Sequence, residues 1–227
     1  CCNLDSSSED AISFIRSNEK NYICVTDAGN LVNAHRKSSE LKEAINNSFI
    51  SLPDGIPVSK LAKLKGIQDI DRVAGQDFMK EVFKKTSDTD IKHFFLGDTD
   101  EVLNSLKEIL TAEYKINISG SYSPEFGVWT EKTDIEIIRR INITNPDFIW
   151  VSLGGGKQEI WMKNNYMKLN KGLMAGVGAA FRFFTGDIKR APLYMQKAGF
   201  EWLHRLAHQP GKMFKRYAST LPFFLIY

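Results

Sequence analysis

The chain has 227 residues, 43% of them hydrophobic and 25% charged, enough to close a sizeable core in one large domain or in one domain with a small appendage. Its three cysteines, Cys1, Cys2 and Cys24, exclude a disulfide framework and fit a reducing compartment, with Cys24 read as a small core residue. No signal peptide is visible, and no apolar run approaches the roughly 20 residues of a spanning helix. "LPFFLIY" at 221–227 is far too short; it reads either as a stretch dipping into a membrane interface or as a truncated helix. The first residue is not Met, so a trimmed N-terminus is expected and Cys1-Cys2 carry little weight.

In chain order, the first predicted strand is Tyr22–Thr26, followed by a helical stretch over Gly29–Asn47. A second strand, Phe49–Leu52, ends in Leu52-Pro53-Asp54-Gly55, with a helix from near Ile56. Asp54 therefore stands at the carboxyl end of a strand. It reads as a helix cap in a common Asp-Gly turn, or as a general base. In "DRVAGQDFM", Arg72 suits bidentate pairing with a phosphate or carboxylate, and Asp77 suits a helix first turn; a surface arginine before a helix start fits equally.

Helix Gln76–Lys85 puts Phe78, Val82 and Phe83 on one face, and Thr99–Thr111 carries Val102, Leu103, Leu106, Ile109 and Leu110 on one stripe. Strands Lys92–Leu96 and Ile116–Gly120 flank the second of these, and helix Thr130–Asn142 leads to strand Asp147–Leu153. There "SLGGGKQE" opens a helix over Lys157–Leu169. It is neither a Walker loop nor GxGxxG. A strand, a glycine turn and a helix N-terminus nevertheless suit an anion, with Lys157 adding charge; a tight turn with a solvated lysine is the bland alternative. Strand Gly172–Val177 ends in a second glycine turn, Gly176-Val177-Gly178, before Phe181, Phe183 and Phe184, of which at least two are expected in the core.

This alternation predicts an α/β fold: a Rossmann-like, mostly parallel sheet with helices on both faces and all strand carboxyl ends on one edge. From Asp187 onward only helix is predicted. The boundary is placed at Gly186, giving a domain over 1–186 and a basic helical appendage over 187–227. Between Lys189 and Tyr217 seven lysines and arginines stand against Glu201 alone, so although the formal net charge is only +3, the charge is concentrated here. Interleaved with Trp202, Phe214 and Tyr217, these cations suit an amphipathic surface on anionic lipid, or a solvated face over an aromatic contact. His204 and His208 sit at i, i+4 but lack a third ligand nearby, so no metal is assigned.

Taken together, "LPDG", "DRVAGQD", "FFLG", "SLGGGKQE", "GVGAAFRFFTG", "KRAP" and "GFEWLHRL…P…RY" resemble the WecG/TagA/CpsF family of bacterial glycosyltransferases from about Tyr22 to Tyr217. The resemblance implies a Rossmann-like domain with a membrane-docking appendage. It implies inverting, metal-independent transfer of a hexose, usually N-acetylmannosamine or its uronic acid, from UDP to an undecaprenyl-diphosphate-linked saccharide. The partners are then a UDP-sugar donor, a polyprenyl-diphosphate-linked sugar acceptor and an anionic membrane surface, with no cofactor and no nucleic acid. A homo-oligomer is left open. The location is cytoplasmic, on the inner face of the bacterial membrane.

By resemblance, Asp54, Thr26 and Arg72 are catalytic. The donor site takes Asp27, Gly97, Gly154, Gly155, Lys157, Gln158, Glu159, Gly176 and Gly178. Arg190, Arg205, Lys212, Lys215 and Arg216 face the acceptor and membrane. Two places depart from the family's pattern: Thr26-Asp27-Ala28 where Thr-x-Asn is usual, and Gly155-Gly156-Lys157 without the usual proline. Asp54 is expected to share one pocket with both glycine bends. The competing readings are a Rossmann-type oxidoreductase, disfavoured by the missing GxGxxG and ribose-binding acid, and a non-enzymatic anionic-lipid or nucleic-acid binding module, which leaves Asp54 and the glycine bends without a role.

Overall fold

The computed structural model describes residues 2–127 and 129–224, apart from the side chains of residues 212, 215, 216 and 221. Cys1 and residues 225–227 of the terminal apolar stretch lie outside the described residues. The order is α1 (Leu4–Ile15), β1 (Lys20–Thr26), α2 (Ala28–Arg36), α3 (Ser39–Asn46), β2 (Ile50–Pro53), α4 (Ile56–Leu64), α5 (Gly75–Lys85), β3 (Lys92–Gly97), α6 (Asp100–Tyr114) and β4 (Asn117–Tyr122). There follow α7 (Glu131–Thr144), β5 (Phe148–Ser152), α8 (Lys157–Asn165), a 3₁₀ turn, β6 (Gly172–Gly176) and α9 (Ala180–Phe184). The chain then runs through α10 (Leu193–Ala198), α11 (Glu201–His208), α12 (Pro210–Ala218) and α13 (Leu221–Phe224).

Among the described residues six strands form one sheet in the order β2-β1-β6-β5-β3-β4, every neighbouring pair parallel. All carboxyl ends therefore share one edge. The chain leaves β3 toward β4 and leaves β5 toward β6, in opposite directions, which opens a crevice between β3 and β5 where open α/β sheets bind ligands. Alternating strand residues supply two cores. Ile23, Phe95 and Trp150 face α1, α5 and α6, whereas Tyr22, Phe94, Ile149 and Met174 face α7 and α8. Both faces are covered, so these strands are apolar throughout rather than alternating.

Two elements differ from the sequence expectation. The helix expected over Gly29–Asn47 is two helices, because the Ser38 hydroxyl accepts from the Leu41 N–H and starts α3 anew. No element was expected before Tyr22, yet α1 forms: Asn3 and Ser6 close a reciprocal cap and Ala11 and Ile15 bury against the core.

A buried histidine is also structural. Trp150 Nε1 donates to His93 Nδ1 at 3.1 Å, and Thr86 Oγ1 lies 3.1 Å from His93 Nε2. Burial pushes its pKa down to about 3, so the ring stays neutral and its N–H faces Thr86.

Candidate active site

Asp54 follows β2 directly. Its backbone N–H donates to Thr26 O at 3.0 Å, continuing the ladder with β1. Gly55, not Asp54, takes the N-cap of α4, at φ 96° and without a side-chain cap. The capping reading is thereby removed, and among the described residues the Asp54 carboxylate accepts no hydrogen bond. It lines a cavity of about 200 Å³ with Asp27, Arg72, Arg190, Glu201 and Arg205. Its pKa is pushed up to about 6, first by burial and next by the charge of Asp27, against the pull of Arg72 and Arg205. A carboxylate tuned to that value is ionised at neutral pH and still basic enough to accept a proton.

Around it the sheet body and the C-terminal helices are clasped by charge. Arg72 Nη2 donates to Glu201 Oε2 at 2.5 Å, and Arg190 forks onto both oxygens of Asp77 at 2.5 and 2.6 Å. Arg72 also stands 3.9 Å from Asp77, and Arg190 stands 3.8 Å from Glu201. Asp77 sits in the first turn of α5. Two nitrogens in this ring of charge, Arg72 Nε and Arg205 Nε, are buried and have no hydrogen-bond partner among the described residues. A buried guanidinium N–H without an acceptor is costly, and an anionic ligand in the cavity would relieve it.

A second, larger cavity of about 950 Å³ adjoins the first, and Ala179 and Arg205 line both. Here stand Gly97, Gly154, Lys157 and Gly178, with Trp129, Trp161 and Arg182. The single pocket expected for Asp54 and both glycine bends is thus two neighbouring ones that share Ala179 and Arg205. Val177 and Ala179 of the second bend reach the Asp54 side, while Gly154 and Gly178 open into the larger cavity. Gly97, at φ 102°, tolerates no side chain: a Cβ would lie 2.4 Å from Ser152 O.

Gln158 and Glu159 do not line either cavity. Both are buried beneath the bends. Gln158 Oε1 accepts from the Gly178 N–H at 3.2 Å, and its amide donates to Glu159 Oε1 at 3.0 Å. Glu159 Oε2 accepts from the Gly156 N–H at 2.6 Å. The pair ties the bend after β5 to the bend after β6. Burial pushes the Glu159 pKa up to about 7, against these hydrogen bonds. Gly155 and Gly176 serve the same packing: a Cβ on Gly155 would lie 3.0 Å from Asn30 Oδ1, and one on Gly176 would lie 2.7 Å from Met162 Cε.

The remaining sequence candidates fall as follows. Asp27 caps α2 through the Asn30 N–H and lines the Asp54 cavity. Thr26 is buried, its hydroxyl 2.9 Å from Ser51 Oγ, and lines neither of these two cavities. Lys212, Lys215 and Arg216 lie in α12, but their side chains are outside the described residues. His204 and His208 stack at 4.1 Å, and among the described residues no group of three or more His, Cys, Asp or Glu is arranged for a metal. Phe181 is fully buried and Phe184 packs on the core, while Phe183 lines the Asp54 cavity.

Three features escaped the sequence reading. Glu201 was counted only as the exception in a basic run. Asp98, at φ 60°, holds Arg182 through contacts of 2.7 and 3.1 Å, and both line the larger cavity; Arg182 stands within "GVGAAFRFFTG" and Asp98 just after "FFLG", but neither was singled out. Trp129 precedes α7 in an irregular segment with no pattern around it.

The arrangement is a tuned carboxylate on the carboxyl edge of a parallel sheet, ringed by arginines and joined to glycine-lined space. The whole chain, residues 1–227, matches the profile of the glycosyl transferase WecG/TagA/CpsF family. The chain belongs to this family. This WecG/TagA/CpsF protein is thus a glycosyltransferase of cell-surface polysaccharide synthesis, acting on a sugar donor and an acceptor. Among its described residues no helix is long and apolar enough to cross a membrane.

Proposed function

We propose that this glycosyltransferase moves a hexose, N-acetylmannosamine or its uronic acid, from a UDP-sugar to a saccharide on undecaprenyl diphosphate, inverting the anomeric centre and needing no metal. Asp54 is the general base. It takes the proton of the acceptor hydroxyl as that oxygen attacks the anomeric carbon, and the bond to the diphosphate breaks with its electron pair leaving on UDP. The observation that supports this reading is a cavity lined by a carboxylate that accepts no hydrogen bond and by Arg72 and Arg205, each with a buried Nε that lacks an acceptor among the described residues. The base accepts the proton, and Arg72 and Arg205 meet the charge that develops on the leaving diphosphate.

The donor's nucleoside end lies in the larger cavity, whose aromatic Trp129 and Trp161 and cationic Lys157 suit a base and a phosphate. Gln158 and Glu159 are positioning residues that fix the glycine bends. The C-terminal helices close the site at the inner membrane face, with Arg190 in the clasp and the exposed Leu193, Tyr194, Phe200 and Phe214 toward lipid. Enclosure there keeps water from the donor. The test is release of UDP from UDP-N-acetylmannosamine and its uronic acid with a short-chain lipid-diphosphate saccharide, with the anomer of the product read by NMR. Acceptor-dependent release with inversion is expected. Release without acceptor, or retention, contradicts the reading.

A further inference from the structure

We propose that α4 is a second membrane-contacting limb, whose outer stripe seats the mouth of the Asp54 cavity on an anionic lipid surface. The inference rests on the lipid-linked acceptor reading above.

α4 begins at the cavity: Ile56 and Pro57 line it. Pro57, Lys60 and Leu64 are exposed and stand at i, i+3 and i+7, one stripe that leads outward from the mouth. Leu64 is 84% exposed and Ile67, just past the helix, is 55% exposed. Between them Gly66 sits in open space, with no atom within 4 Å of a Cβ placed on it. From Ile56 to Gln68 the chain carries Lys60, Lys63 and Lys65 and no acid. Lys63 is held by Asp71 at 3.1 Å, whereas Lys60 and Lys65 have no ion-pair partner among the described residues.

Single exposed apolar residues are ordinary on protein surfaces. Here Lys60 stands between Pro57 and Leu64 on one line that starts at the Asp54 cavity, and Lys65 and Ile67 follow just past the helix. This face is also continuous with the C-terminal helices. A Cβ on Gly199, between α10 and α11, would lie 3.4 Å from Ile56 Cβ. Beyond that contact Leu193 and Tyr194 are each 72% exposed, and Phe200 is 50% exposed. The cavity mouth is thus flanked on both sides by apolar side chains among cations. Lipid offers the matching chemistry, with acyl boundary for the leucine and isoleucine and anionic headgroups for the lysines.

The test uses the full chain with sedimenting vesicles of phosphatidylcholine alone and with roughly one-third phosphatidylglycerol. Lys60→Glu with Lys65→Glu is expected to weaken partition onto the anionic vesicles by about tenfold or more at low salt and to leave neutral vesicles unaffected. Leu64→Ser with Ile67→Ser is expected to weaken it further. Transfer to a vesicle-embedded acceptor should fall in step, while UDP affinity and transfer to a water-soluble short-chain acceptor stay at the parent level. Full partition by both α4 variants, alongside loss in Leu193→Ser with Tyr194→Ser, overturns the limb but leaves the lipid-acceptor reading standing. Failure of the parent chain to bind either vesicle overturns both. A dimer, seen by light scattering, that dissociates in the Leu64→Ser variant shows that a second copy covers this face, and also overturns the limb.

Discussion

The sheet body and the C-terminal helices are held by different forces. In the body, β5 and β6 are buried along their whole lengths and Trp150, Phe83 and Phe95 have no exposed surface. In the C-terminal region, α11 buries no residue among those described, and Leu203 and Phe214 stay exposed; Ala191, Gln196, Met213 and Thr220 are the buried exceptions among the described residues. What docks it is charge and ring contact: Asp77 with Arg190, Arg72 with Glu201, and Arg36 over the Phe223 ring at 3.7 Å. Apolar burial is not weakened by charge screening and holds a close-packed core. Ion pairs at a partly exposed seam are individually weak and screened, so they permit docking and release. The Asp54 cavity lies at that seam, with Asp54 from the body and Glu201 and Arg205 from the helices.

The largest expected effect is at Asp54 itself. Asp54→Asn should lower transfer by about 10²–10⁴-fold with UDP affinity retained, measured by acceptor-dependent UDP release and by calorimetry. Stability should move the other way. Because the folded carboxyl titrates near 6 instead of the ordinary 3.8, the native protein loses stability as pH rises through that window. The Asn variant escapes the loss and should be more stable at pH 7.5 by roughly 1–3 kcal/mol, a gain that vanishes below pH 4. Equal melting temperatures at both pH values would remove burial as the cause.

A smaller effect tests the clasp. Asp77→Arg and Arg190→Asp should each reduce transfer by about tenfold or more, with little change in the urea midpoint of the body. The double exchange should recover part of it, with a coupling of roughly 1–3 kcal/mol in the double-mutant cycle. Additive losses would show that the two residues act independently.

The smallest is in the body beneath the bends. Gln158→Ala removes the acceptor of the Gly178 N–H and should raise the donor KM several-fold to about tenfold, with kcat changed less. An unchanged KM would detach Gln158 from the bends.

The same contrast decides what the sequence could show. The central strands were legible because runs such as Phe148-Ile149-Trp150-Val151 are apolar for their full length, the mark of a sheet covered on both faces, whereas edge strand β4, Asn117–Tyr122, is mostly polar and half-buried. α1 was not legible, since Asn3 and Ser6 stabilise its start through local hydrogen bonds that a hydrophobic pattern does not record. Asp54 and Arg72 were placed by their motifs. Gln158 and Glu159 were named for the donor, but the fold turns them inward to join two bends, a pairing across β5 and β6 invisible to spacing. Glu201 stood out only by its sign, because its partner Arg72 is far away along the chain.

The most direct test of Asp54 as the base is the pH dependence of kcat/KM for transfer to a water-soluble acceptor. Activity should fall tenfold per pH unit below about 6 and level off above it, with that limb missing from the residual activity of Asp54→Asn. A flat profile through this range, or the same limb in the Asn variant, would contradict the assignment.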